Sequence, residues 1–205
     1  VPVLPQQIRE RKSNSTNPTY KPVDPPAQVP PKPEGPDRNA VAFNDAGNAD
    51  FAKRNLDPAI VNYTRSISAD PNYADPFYNR GLAYFLKNEF DDALSDFDKA
   101  INLGLKTPDA YYNRGQAYLV KENYVSAISD FTTVITMDIE YAPAYFSRGA
   151  AYVYTKDYER AITDYTKYIA LKPTDREGYI QRATAYARAG QGDLAEEDRE
   201  TARKL

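Results

Sequence analysis

Gly47, Gly81, Gly115 and Gly149 stand 34 residues apart, and Ala183 falls on the next step of the same series. A fixed period of that length confines the chain to a stack of similar supersecondary units. One such unit cannot bury an apolar face alone, so its neighbours must cover it.

Counted from its small residue, each unit reads as two helices. Four positions before stands an aromatic, at Phe43, Phe77, Tyr111, Tyr145 and Tyr179; three after stands Tyr84, Tyr118, Tyr152 or Tyr186, with Asp50 the exception in the first unit. These spacings put the rings on one helical face, with the small residue between them where a second helix approaches. Twelve positions after the small residue comes Ala59, Ala93, Ala127, Ala161 or Ala195, and four further on Tyr63, Phe97, Phe131, Tyr165 and then Arg199. They predict a second helix whose alanine admits the first and whose ring fills the gap beside it. Asp57 before Pro58 and Thr107 before Pro108 are expected to be N-caps followed by first-turn prolines.

With closing prolines at Pro71 and Pro173, these columns resemble the tetratricopeptide repeat. The resemblance covers residues 40–205 as five units near 40–73, 74–107, 108–141, 142–175 and 176–205; Leu105 and Ile139 replace the closing proline in two units, and there is no tryptophan. It implies an all-α fold, a right-handed helical solenoid of five helix-turn-helix repeats whose first helices line a concave face that binds peptides. The last helix, "GDLAEEDRETARKL", is charged where the others are aromatic, as a solvent-facing cap should be.

Residues 1–39 hold ten of the sixteen prolines, which predicts an extended, polyproline-like segment unable to fold alone. It reads either as a tether or as a ligand segment that docks in a groove. It carries 6 basic and 4 acidic residues, against 20 and 25 in residues 40–205, an opposition that permits docking.

The chain contains neither Cys nor His, which removes disulfides, the usual zinc sites, Ser-His or Cys-His nucleophile pairs and histidine acid/base chemistry. No cofactor or metal is expected. Asp91 and Asp92 read as helix-start charges, not as a carboxylate pair for catalysis. A net charge of −3 gives no reason to seek phosphate backbones, and no run approaches the length of a membrane span. The expectation is a soluble, non-enzymatic protein, cytoplasmic or exported after signal removal, with no nucleic-acid partner and no membrane insertion.

Two charged columns change together. Arg80, Arg114, Arg148 and Arg182 directly precede the small residue, and Asp96, Asp130, Asp164 and Asp198 follow it by fifteen positions; the first unit has Ala46 and Asn62 instead. A partly buried arginine without its carboxylate is costly, so the two columns predict an ion pair between the helices of each later unit. Contact with an anionic ligand is the functional alternative.

The resemblance makes the first helices the groove, and helical spacing nominates its lining. These residues are Asn44, Asn48 and Phe51; Tyr78, Asn79, Leu82 and Phe85; Tyr112, Asn113, Gln116 and Leu119; Phe146, Ser147, Ala150 and Val153; and Ile180, Gln181 and Thr184. Amides can grip a peptide backbone in both directions and aromatic faces suit proline or apolar anchors, although Tyr78, Tyr112 and Phe146 could equally fill space between units. Some family members hold acidic chaperone tails with a clamp of lysines, asparagines and an arginine. Laid on this chain, that pattern finds Asn48 and Asn79 but meets Asn44, Asp109 and Asn113 at its cationic positions. The nominated lining has no Lys or Arg, so neutral or mildly basic peptides are expected to fit it. The expected function is an interaction scaffold that binds an extended peptide of a partner, or a self-associating module whose groove receives the N-terminal segment in cis or from a neighbouring chain in a homodimer.

Overall fold

Asp37 starts the first helix: its Oδ1 accepts the backbone N–H groups of Asn39 (2.8 Å) and Ala40 (3.2 Å). The structure is a computed structural model that describes residues 35–205, so expectations for the proline-rich stretch up to residue 34 lie outside the described residues. Among the described residues there are ten helices and no strands: α1 Arg38–Ala52, α2 Leu56–Ala69, α3 Asp75–Leu86, α4 Phe90–Asn102, α5 Pro108–Val120, α6 Tyr124–Met137, α7 Ala142–Tyr154, α8 Tyr158–Leu171, α9 Arg176–Arg188 and α10 Gly192–Lys204.

Caps and prolines mark where the first helices of the units begin. Thr107 Oγ1 accepts from Ala110 N (3.2 Å) with Pro108 in the first turn, as expected, and Asp175 accepts from Glu177 N (3.0 Å). Asp57 is a correction. The N-cap of α2 is Asn55, and Asp57 lies inside the first turn, where its exposed carboxylate meets Lys87 Nζ at 2.7 Å. A carboxylate there still suits the helix dipole.

Every first helix ends in the same way. Arg54, Asn88, Glu122 and Lys156 adopt φ between 59° and 63°, and Gly190 has φ 79°. The next residue then bonds back five positions, as in Asn123 N to Tyr118 O (2.9 Å) and Asp157 N to Tyr152 O (2.9 Å). That is a Schellman closure, which satisfies the last carbonyls and turns the chain within three residues. Glycine suits this conformation best, yet four of the five units use a larger residue.

Within each unit the ring of the second helix lies directly over the glycine of the first. A Cβ on Gly47 would fall 2.5 Å from Tyr63, on Gly81 2.8 Å from Phe97, on Gly115 2.8 Å from Phe131, and on Gly149 3.0 Å from Tyr165. The rings are at most 1% exposed and the alanines at Ala59, Ala93, Ala127, Ala161 and Ala195 are fully buried. The fifth unit departs at both positions at once: Arg199 replaces the ring, and Ala183 replaces the glycine that the ring required.

Between units, each second helix packs on the following first helix, and consecutive first helices touch one another. The backbones of consecutive second helices lie farther apart, so the array bends with α1, α3, α5, α7 and α9 on its inner side. α10 packs only on α9, and its outer face is charged.

Gly115→Ala is expected to cost about 1–3 kcal/mol in urea unfolding, the usual penalty for a methyl group forced into a filled core. Phe131→Leu should relieve the clash, so the double variant should lose clearly less than the sum of the two single losses; additive losses would remove the ring as the cause.

Candidate functional site

The paired columns meet as their covariation implies. Arg80, Arg114, Arg148 and Arg182 each place Nε at 2.8 Å from Oδ2 of Asp96, Asp130, Asp164 and Asp198, and Nη2 at 2.6–2.8 Å from Oδ1. These carboxylates are buried, and each guanidinium is flanked by the unit's two first-helix rings, 5.5–5.9 Å from their centroids. Burial pushes the carboxyls of Asp96, Asp130 and Asp164 up, while the arginine's bonds and charge pull them back.

A third contact escaped the sequence reading. Each Nη1 also reaches the preceding unit's second helix, at Thr64 (2.9 Å), Asp98 (2.7 Å), Thr132 (3.1 Å) and Thr166 (3.1 Å). The threonine hydroxyls donate to their own helix four residues back, which turns an oxygen lone pair toward the arginine. One arginine thus fastens three helices. The first unit, which lacks it, pairs its own two exceptions: Asn62 Nδ2 donates to Asp50 Oδ2 at 2.9 Å.

The inner face carries a second ladder, built from the nominated amides. Asn79 Nδ2 donates to Asn44 Oδ1 (3.0 Å) and Asn48 Oδ1 (3.1 Å), and Tyr63 Oη donates to the same Asn48 oxygen (3.0 Å). Asn113 Nδ2 donates to Tyr78 Oη (2.8 Å) and the Asp109 carbonyl (2.9 Å), Gln116 Nε2 donates to Tyr112 Oη (2.8 Å), and Tyr112 Oη lies 3.4 Å from Ser147 Oγ. Gln181 bonds Glu177 within its own helix (2.7 Å). Asn44 and Ser147 are buried, Asn48 is exposed, and Tyr78, Asn79, Leu82, Phe85, Tyr112, Asn113, Gln116, Phe146, Ile180 and Gln181 are half-buried. The amide N–H groups of Asn79 and Asn113 are thus engaged in joining units, while that of Gln116 bonds, within its own helix, the Tyr112 hydroxyl that lies by Ser147 of the next unit. Tyr78 and Tyr112 also tilt against Phe97 and Phe131, and Phe146 packs on Tyr165 and Tyr168.

Two cavities open on the inner face near the C-terminal ends of the first helices. One, of about 410 Å³, is lined by Phe51, Ala52, Arg54, Leu82, Phe85, Leu86 and Asn113. The other, of about 280 Å³, is lined by Phe146, Ala150, Val153, Tyr154, Tyr165, Gln181, Thr184 and Arg188. Arg54 and Arg188 correct the expectation of a lining without cations. Arg188 lies on the inner side at the last turn of α9, and Arg54 sits in the left-handed residue past the end of α1, where helical periodicity no longer predicts direction.

Among the described residues no cluster of acidic side chains could hold a metal ion, and no helix is long and apolar enough to cross a membrane. Both oxygens of the buried carboxylates in the four arginine pairs are taken by the arginines, so none is presented to a substrate.

Models described as TPR repeat match residues 47–88 and 81–122, and models described as tetratricopeptide repeat match 108–138 and 142–175. The chain belongs to the tetratricopeptide repeat family. A MamA crystal structure aligns with this repeat protein at 27% identity and a TM-score of 0.78, over 81% of this chain and 91% of that one. MamA from Desulfovibrio magneticus RS-1 aligns at 20% identity (TM-score 0.80; 83% and 97% of the chains). YrrB, a TPR protein with an unusual peptide-binding site, aligns at 19% (TM-score 0.75; 80% and 84%). These last two likenesses speak to the fold alone. No curated protein matches the sequence.

Burial and nearby carboxylates push Tyr63, Tyr73 and Tyr168 up to about 12. A raised folded-state value means that their contribution is complete below about pH 10, the unfolded tyrosine value, and is lost as pH climbs toward 12. With no His or Cys, no ordinary side chain titrates between about pH 6 and 8. Thermal melts followed by circular dichroism should be flat across that window and fall by roughly 10 °C or more between pH 9.5 and 12. A midpoint that does not move up to pH 12 would contradict the burial of these phenols.

Proposed function

We propose that this repeat protein is a non-enzymatic interaction scaffold that holds an extended peptide of a partner protein along the inner face of α1, α3, α5, α7 and α9. The supporting observation is the pair of inner-face cavities. Their apolar walls are open, whereas the amide donors of Asn79 and Asn113 are already spent on joining units. A peptide gains from such a surface by inserting side chains, not by replacing an existing ladder. The nominated lining divides accordingly: Leu82, Phe85, Ala150 and Val153 are contact residues, while Asn44, Asn79 and Ser147 hold the frame.

A second reading is that residues 1–39 themselves occupy the groove, in cis or in a neighbouring chain. Its support is the opposition between their 6 basic and 4 acidic residues and the 20 and 25 of the rest. A tethered segment has an effective concentration of about millimolar, enough for weak affinity to suffice.

Partner capture with the intact chain, with a chain lacking residues 1–36, and with Leu82→Glu plus Ala150→Glu separates these readings. The cut is placed before Asp37 because Asp37 caps α1. The groove reading expects the two glutamates to abolish capture while the helical circular dichroism is unchanged. Unaltered capture by that variant would overturn it. Self-docking further expects the truncated chain to capture more partner, or to lose mass in solution if it was a dimer.

A further inference from the structure

The two inner-face cavities share a chemistry. Each sets apolar walls beside one arginine, Leu82 and Phe85 beside Arg54, and Ala150 and Val153 beside Arg188. Neither arginine pairs with a carboxylate among the described residues. Six of the basic residues between them are paired with carboxylates of the stack. Lys87 meets Asp57 of the preceding unit (2.7 Å) and Glu89 (2.9 Å), Lys121 meets Asp91 of the preceding unit (2.5 Å), and the four inter-helix arginines meet their own aspartates. Arg188 also borders a wider, polar hollow of about 510 Å³ whose acidic groups Asp157 and Glu159 are engaged by Arg160 and Gln191. Each cavity therefore sets an arginine without a carboxylate partner beside apolar walls, where an ion pair is screened less than in open water.

The cavity by α1 and α3 and the one by α7 and α9 lie three repeat steps apart. Packed helices are spaced about 8–10 Å, which sets the cavities roughly 24–30 Å apart. An extended chain covers about 3.3 Å per residue, so about eight residues bridge them. We infer that the groove selects an extended partner peptide with two apolar residues about eight positions apart, each followed by a carboxylate that pairs with Arg54 or Arg188. This rests on the groove reading above and adds the ligand's charge and spacing. The rest of the domain is acidic, so an acidic peptide gains only by placing its carboxylates at these two points. Residues 1–39 contain a single pair of an apolar residue followed by an acid, Val23–Asp24, if proline is set aside, and so supply one anchor at most.

The test is fluorescence anisotropy with the full chain and a labelled peptide Leu-Asp-Ser-Thr-Ser-Thr-Ser-Thr-Leu-Asp at low salt. The proposal expects saturable binding that weakens about tenfold when both Asp become Asn. It also expects Arg54→Gln together with Arg188→Gln to bind the two peptides alike; both side chains are exposed, so the fold is kept. Three results overturn it: no binding of the Leu-Asp peptide, equal binding of the Asn peptide to the intact chain, or equal binding of a peptide with its leucines four apart. If the Asn peptide or a peptide of residues 1–34 binds as well and Leu82→Glu abolishes it, the groove reading stands and the acidic anchors fall.

Discussion

A guanidinium held by two helices of its own unit and one of the unit before is the contact on which this stack depends. Each of the four arginines spends Nε and Nη2 on a buried aspartate and Nη1 on the preceding second helix, between two aromatic rings. A bidentate pair fixes the rotation of one helix against the other as well as their distance. The third bond passes that orientation to the neighbour. Buried charge is expensive, and here the satisfaction is complete: among the described residues no buried side-chain nitrogen or oxygen lacks a partner.

The inner face follows from that frame. Because the backbones of consecutive first helices approach more closely than those of the second helices, amide and tyrosyl groups of adjacent units come within bonding reach and close the ladder from Asn44 through Asn79 and from Tyr78 through Asn113. The ends of the first helices, past the ladder, keep open apolar space. The inner face thus has a polar part that ties units together and an apolar part that stays open.

Much of this was legible from residues alone because a repeat prints its packing as columns. The glycine and ring columns, and the joint loss of Arg and Asp in the first unit, each imply a contact, and each contact is found. The same logic would have found the pairing of Asp50 with Asn62, two exceptions in one unit, and the rim pairs of Lys87 with Asp57 and Lys121 with Asp91, whose columns turn to Thr155 and Val125 together. Other features left no such print. Arg54, Glu122 and Lys156 give no local sign of a left-handed backbone, since that conformation is imposed by the Schellman closure, and Asn55 takes the cap position next to a more conventional Asp-Pro pair. Helical spacing told which face Asn79 and Asn113 occupy; it could not tell that the facing helix would absorb their donors.

A double-mutant cycle on Arg114 and Asp130 reads the central contact most directly, since Asp130 is buried and Arg114 bonds three oxygens. Arg114→Met and Asp130→Leu should each cost about 3–5 kcal/mol in denaturant unfolding, because each strands a partly buried partner. Together they should cost far less than the sum, since Asp98 faces water and neither buried charge remains. Single losses that add without coupling would contradict the account, leaving the arginine an incidental surface charge.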